Sequence, residues 1–182
     1  MSRLGELQAK VDAFFDRAAA RHGDDMQCHT GCSDCCHVRL SVTTVEAHAI
    51  WEHLQGLSAT QREVIATAAT QELERSGEDV RCTALGPDGR CRIYAVRPIV
   101  CRSHGAPIRM RTNSLPVIDV QSCFRNFTHS VPDPDCVLDQ ETLSAMTLVV
   151  DREVGGDGER VDLAAVLVGE VGFDVDDAPA DE

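Results

Sequence analysis

The sequence predicts a mainly α protein: a small helical frame around a loop-rich, cysteine-bearing centre, with at most a short β-hairpin. Three observations carry that prediction. Apolar residues recur at helical spacing near both ends of the chain. Four cysteines crowd into nine residues, Cys28 to Cys36. Between Val80 and Val120, Pro98, Gly105, Pro107 and Pro116 break any long regular element.

The first helix is predicted over residues 3–21, where Leu4, Leu7, Val11, Phe14, Phe15 and Ala18 share one face and charged residues fill the other. Gly23 ends it, and Gly31 marks a turn inside the cysteine run. A second helix starts near Thr43, since Glu46 three residues on completes a capping box. A third starts at Ser58, with Gln61 at the same offset, and runs to Gly77 with Val64, Ile65, Ala68 and Leu73 as its apolar stripe. The segment "CTALGPDGRCRIY" has hairpin chemistry at "GPDG", and "LPVIDV" reads as a short strand. Two last helices follow, 139–154 with Leu143, Met146 and Val150 in phase, and 162–168. The organisation expected is an N-terminal amphipathic helix (1–24) packing on a single cysteine-cluster domain (25–170). The acidic tail 171–182 is expected to be disordered.

The 182-residue chain suffices for one domain with a real core, although aromatics make up only 4% of it. Its formal charge of −13 argues against nucleic acid as a partner, because phosphate binding needs a basic footprint. No apolar run reaches the length of a membrane span, and the N-terminal segment lacks the apolar core of a secretory signal. The expectation is a cytoplasmic protein with no membrane partner; nothing in the sequence points to a protein partner. In that compartment clustered thiols serve as metal ligands or catalysts rather than as disulfides.

The nine cysteines are Cys28, Cys32, Cys35, Cys36, Cys82, Cys91, Cys101, Cys123 and Cys136. The first four form C-x3-C-x2-C-C, a spacing that lets a backbone turn wrap around an ion, and the later ones can close the shell from elsewhere in the fold. Zinc takes four such donors in a tetrahedron, and an iron–sulfur cluster also takes thiolates. Because Cys35 and Cys36 are adjacent, both reach one ion only through a strained ring, which favours a centre larger than one four-thiolate zinc. Two four-thiolate sites, or one site with structural leftovers, are both open. His29, His37 and His104 stand near cysteines and are candidate substitutes. Cys136, in "PDPDCVL", fits a buried thiol instead. Seven arginines between Arg81 and Arg111 face a single acid, Asp88. They suit either the negative charge of a thiolate centre or an anionic substrate beside it.

Together, "CHTGCSDCC" and "CTALGPDGRCRIYAVRPIVCRSHG" resemble the YkgJ-type cysteine-cluster proteins, a bacterial family described as a zinc- or iron-chelating domain. The counterparts are Cys28, Cys32, Cys35 and Cys36, Glu46, Cys82, Cys91 with Ile93 and Tyr94, Arg97 and Pro98, Cys101 with Arg102, and Cys123. The likeness runs from about residue 25 to 127. It implies that these eight cysteines bind metal, with zinc or iron, including an iron–sulfur cluster, as the cofactor. His104 departs from the family, which more often has an aromatic there. A related cluster in flagellin lysine N-methylases implies the alternative function, an iron-dependent redox or group-transfer enzyme acting on an anionic substrate near the arginines.

Overall fold

In chain order the elements are α1 (Arg3–Arg21), β1 (Ser41–Thr43), α2 (Thr44–Gln55), α3 (Ala59–Leu73), α4 (Ile99–Ser103), β2 (Ile108–Arg111), β3 (Ile118–Gln121), β4 (Leu138–Asp139), α5 (Gln140–Glu153), β5 (Arg160–Asp162) and α6 (Leu163–Val168). The structure is a computed structural model that describes residues 2–111 and 118–173. Residues 174–182 of the expected acidic tail and the "LPV" of the expected strand lie outside the described residues. The fold is mainly α with minor β, as the sequence predicts. The chain divides into two units, Met1–His29 with Ile99–Val149 and Thr30–Pro98 with Val150–Glu182.

The first unit is built on α1. The Ser2 hydroxyl caps it by accepting the Gly5 N–H, and Leu4, Leu7, Val11 and Ala18 are its buried stripe. Helix α4 packs on α1. The guanidinium of Arg102, a residue 8% exposed, donates to the Asp12 carboxylate at 2.5 Å and pins the two helices together. A three-stranded sheet follows in the order β3-β2-β4. Strands β2 and β3 are antiparallel with Arg109 opposite Val120, and β4 runs parallel to β2 with Arg109 opposite Asp139. Ala18, Met26 and Cys136 form a separate small core, against which Phe14, Phe15 and Phe127 pack.

In the second unit both capping boxes form as the sequence predicts. The Thr43 N–H and hydroxyl donate to the buried Glu46 carboxylate at 3.0 Å, and Ser58 pairs with Gln61 likewise. Strands β1 and β5 pair antiparallel around Val42 opposite Val161, and each leads directly into a helix, α2 or α6. Val42, Ala47, Ile50, Leu54, Ile65, Leu163, Val166 and Leu167 belong to the core of this unit.

Two helix faces differ from the expected phase. On α3 the buried positions are Ile65 and Ala69, whereas Val64 and Leu73 are exposed. An Ala- and Thr-rich helix has too little apolar contrast to fix its face, and contact with α6 decides it. The helix also ends at Leu73 rather than Gly77, because Arg39 donates to the carbonyls of Glu72 and Arg75 and satisfies the last turn. On α5 the inward positions are Leu143, Thr147 and Asp151 rather than Leu143, Met146 and Val150. Asp151 is fully buried: its carboxylate accepts N–H groups from Val45 at 2.8 Å and Gly158 at 3.2 Å. A side chain at Gly156 would collide with that carboxylate, so the glycine is required there.

Candidate metal centre

No disulfide joins any of the nine cysteines. Five of them, Cys32, Cys35, Cys36, Cys82 and Cys91, belong to the second unit, and Cys28, Cys101, Cys123 and Cys136 to the first.

In the second unit the cysteine run is shaped by backbone needs. Gly31, at φ +92°, turns the chain, and a short 3₁₀ turn over Asp34–Cys36 follows, with the Cys36 N–H donating to the Ser33 carbonyl at 2.8 Å. The two adjacent sulfurs lie 4.0 Å apart. Four sulfurs at ~2.3 Å from a zinc ion stand about 3.8 Å from one another, so this pair can share one ion. The 3₁₀ turn over Asp34–Cys36 sets the two side chains at that separation.

The partner segment is the Cys82–Cys91 hairpin. The Cys82 N–H donates to the Cys36 carbonyl at 2.7 Å, which fixes the hairpin's first cysteine beside the turn. A bridge between Leu85 and Cys91, the Gly86 N–H to the Arg90 carbonyl at 2.7 Å, and Gly89 at φ +75° close the "GPDG" tip. A side chain on Gly89 would press on the Gly31 carbonyl at 3.0 Å, so tip and cysteine turn are in close contact. Cys82 is buried and Cys91 packs on the same core, and burial pushes both thiols above the ordinary thiol range. Backbone N–H donors oppose that rise, as do the Arg39 charge at Cys82 and the Arg97 charge at Cys91, while Cys35 adds to it at both thiols, Glu72 at Cys82 and Cys82 at Cys91.

In the first unit Cys101 lies on α4, whose neighbour Arg102 is the residue anchored to Asp12. Cys123 opens a turn closed by the Asn126 N–H to the Cys123 carbonyl at 2.8 Å. Cys28 receives a hydrogen bond from the Asn126 side-chain amide at 3.4 Å. Cys136 is fully buried beside Ala18 and Met26, in keeping with a thiol that serves as a small hydrophobe.

Among the described residues no group of three or more His, Cys, Asp and Glu side chains stands at metal-holding distance. Cys35 and Cys36, 4.0 Å apart, stand close to the separation of two thiolates on one zinc or iron ion, and thiolate is a donor type that both metals take. His29, His37 and His104 are all exposed.

Arg102, Arg109 and Arg111 meet Asp12, Asp139 and Glu141. Arg92 donates to the Leu85 carbonyl at 2.6 Å, and Arg97 stacks 4.4 Å over the Tyr94 ring. Five of the arginine-rich segment's seven arginines thus meet partners within their own unit.

Two residues that shape the site, Arg39 and Asn126, are missed by sequence reasoning, and a third, Gly105, is read there only as a breaker of regular structure. Arg39 bonds the Arg81 carbonyl at 2.6 Å, next to Cys82. Asn126 and Gly105 surround Cys28. None carries a periodic or spacing signal. The only hint is that Asn126 lies three residues beyond a candidate ligand, where the polar group closing a turn would sit.

A model of the CxxCxxCC family, described as "Putative zinc- or iron-chelating domain", matches residues 27–123. Comparison with curated proteins and with solved structures gives no match.

Proposed function

The chain belongs to the CxxCxxCC family, and from that premise we propose that it is a cytoplasmic metal-binding protein whose ligands are Cys28, Cys32, Cys35, Cys36, Cys82, Cys91, Cys101 and Cys123. The observation that carries this reading is the meeting of two sequence-distant segments in the second unit. The Cys35–Cys36 pair, spaced for one ion, is tied through the Cys36 carbonyl to Cys82, and Cys91 follows on the same hairpin. Those four thiols are the set we assign to one centre. Zinc bound there would act as a cross-link in a protein poor in aromatic packing; iron, including an iron–sulfur cluster, would add electron-transfer capacity.

The residues around the thiols do the preparatory work. Arg39 and Arg97 place positive charge beside Cys82 and Cys91, which favours the thiolate form against burial. Cys82 and Cys91 give up protons on binding, so metal uptake and proton release are coupled.

Elemental analysis and absorption spectra of protein purified without oxygen test the reading. It expects zinc or iron retained through gel filtration. Brown protein with broad absorption near ~420 nm identifies an iron–sulfur form, and colourless protein containing zinc identifies the zinc form. Protein that neither carries zinc or iron nor takes either up when reduced would refute the proposal.

A further inference from the structure

We propose that Asn126 is the positioning residue for Cys28, holding that sulfur ready for metal. The inference rests on the reading above, in which Cys28 is a ligand.

Asn126 is 3% exposed, and its amide is fully used. Its Oδ1 accepts the Gln27 N–H at 2.8 Å, and its Nδ2 donates to the Gly105 carbonyl at 2.7 Å and to the Cys28 sulfur at 3.4 Å. This arrangement fixes the amide's orientation, since turning it over would set an N–H against an N–H and an oxygen against a carbonyl. The donor aimed at Cys28 is therefore locked by two other hydrogen bonds.

One residue gathers three of the first unit's four cysteine-bearing segments. It bonds Cys28 and its neighbour Gln27, it bonds Gly105 just beyond the Cys101 helix, and its own N–H closes the turn from Cys123. Two features show that the backbone is shaped around this contact. Gly105 adopts φ +96°, and a methyl group there would stand 2.5 Å from the Cys28 sulfur. Phe127, next to Asn126, adopts φ +54°, a left-handed conformation that costs a non-glycine residue free energy. Its N–H is bound to the Asp25 carbonyl at 2.9 Å, which completes the lacing of 25–28 to 123–127. An N–H donated to a ligand sulfur orients it and offsets its charge, which is the work of outer-shell partners in metal sites.

A purely structural asparagine would make the Gln27 and Gly105 bonds equally well, so the test isolates the sulfur contact. Zn²⁺, which thiolate sites take ahead of Fe²⁺, is titrated against a chromophoric chelator into the reduced full chain. The four proteins are wild type, Asn126→Asp, Cys28→Ala and the double variant. Asn126→Asp keeps the shape and the acceptor for Gln27 but turns an oxygen toward Cys28 and Gly105. The proposal expects Zn²⁺ affinity about 10- to 100-fold weaker in Asn126→Asp, and a change of less than about 3-fold when the same substitution is made on Cys28→Ala. An equal loss on both backgrounds would make Asn126 merely structural and overturn the proposal. If Asn126→Asp does not fold, Asn126→Ser carries the same cycle with the same expectation. Cys28→Ala with undiminished affinity and stoichiometry would overturn the proposal and remove Cys28 from the ligand set, leaving the other seven. Wild-type protein that takes up no metal would overturn the functional reading itself.

Discussion

Substituting Arg102 probes how α4, and with it Cys101, is held. Its side chain is 9% exposed and its guanidinium lies 2.5 Å from the Asp12 carboxylate, whose side chain is 37% exposed. Breaking a fully buried ion pair costs about 3–5 kcal/mol. Here the carboxylate can rehydrate, which reduces the electrostatic loss to about 2 kcal/mol. Arg102→Ala also removes the packed aliphatic stem, worth about 1 kcal/mol. A total near 3 kcal/mol follows, and with a urea slope of about 1–3 kcal/mol per M the midpoint should fall by about 1–3 M. The assay is urea unfolding of the reduced, metal-free chain followed by circular dichroism, with Asp12→Ala and the double variant completing a cycle. Coupling of about 1–2 kcal/mol between the two residues is expected. Arg102→Lys should recover part of the loss, since it keeps the charge but not the planar fork. A change in stability below about 0.5 kcal/mol for Arg102→Ala, or additive single effects, would refute the anchoring role.

Two further outcomes follow from buried groups. Asp151→Asn keeps the shape of the side chain but sets an amide N–H against one of the two backbone donors, so unfolding free energy should drop by about 1–3 kcal/mol while the metal-to-protein ratio stays at the wild-type value; an unchanged urea midpoint would contradict the burial argument. Cys82 and Cys91 are raised above their unfolded-state values, so in the metal-free protein their contribution to stability is intact below the ordinary thiol range of about 8.5 and is lost as pH climbs through the raised values. Metal-free protein should therefore have a lower urea midpoint at pH 10 than at pH 8, whereas Zn²⁺ affinity should rise as pH rises through the neutral range. Metal-free stability that increases above pH 9 would show that the two thiols are not shifted upward.

What the sequence made legible follows from how local each determinant is. The starts of α2 and α3 are encoded in Thr43–Glu46 and Ser58–Gln61, residues that satisfy each other within one turn, and both helices begin there. The start of α6 is equally local, with the Asp162 carboxylate capping the Ala164 N–H at 2.8 Å. The phase of α5 was not legible, because its inward residues Thr147 and Asp151 are polar and an apolar count rotates the helix by about a quarter turn. Asp151 has its partners at Val45 and Gly158, which only the tertiary fold supplies.

At the site the cysteine spacing and hairpin chemistry were readable, but the separation of the Cys35 and Cys36 sulfurs was not. Their sulfur separation depends on the 3₁₀ turn that follows Gly31, and nothing in the dipeptide encodes it. The distribution of cysteines between the two units is likewise a matter of topology: Cys28 and Cys32 are four residues apart yet fall in different units. The arginine-rich segment read as one basic island along the chain. The acids that answer Arg102, Arg109 and Arg111 come from residues 12, 139 and 141, distant in sequence.

The most direct test of the central claim is the metal-to-protein ratio of Cys82→Ala and Cys136→Ala, measured by elemental analysis beside wild type after anaerobic purification. Both thiols are buried, and one belongs to the assigned set while the other is packed in a small apolar core. Metal lost from Cys82→Ala and kept by Cys136→Ala is the predicted result. Equal loss from both, or full retention by Cys82→Ala, would contradict the assignment.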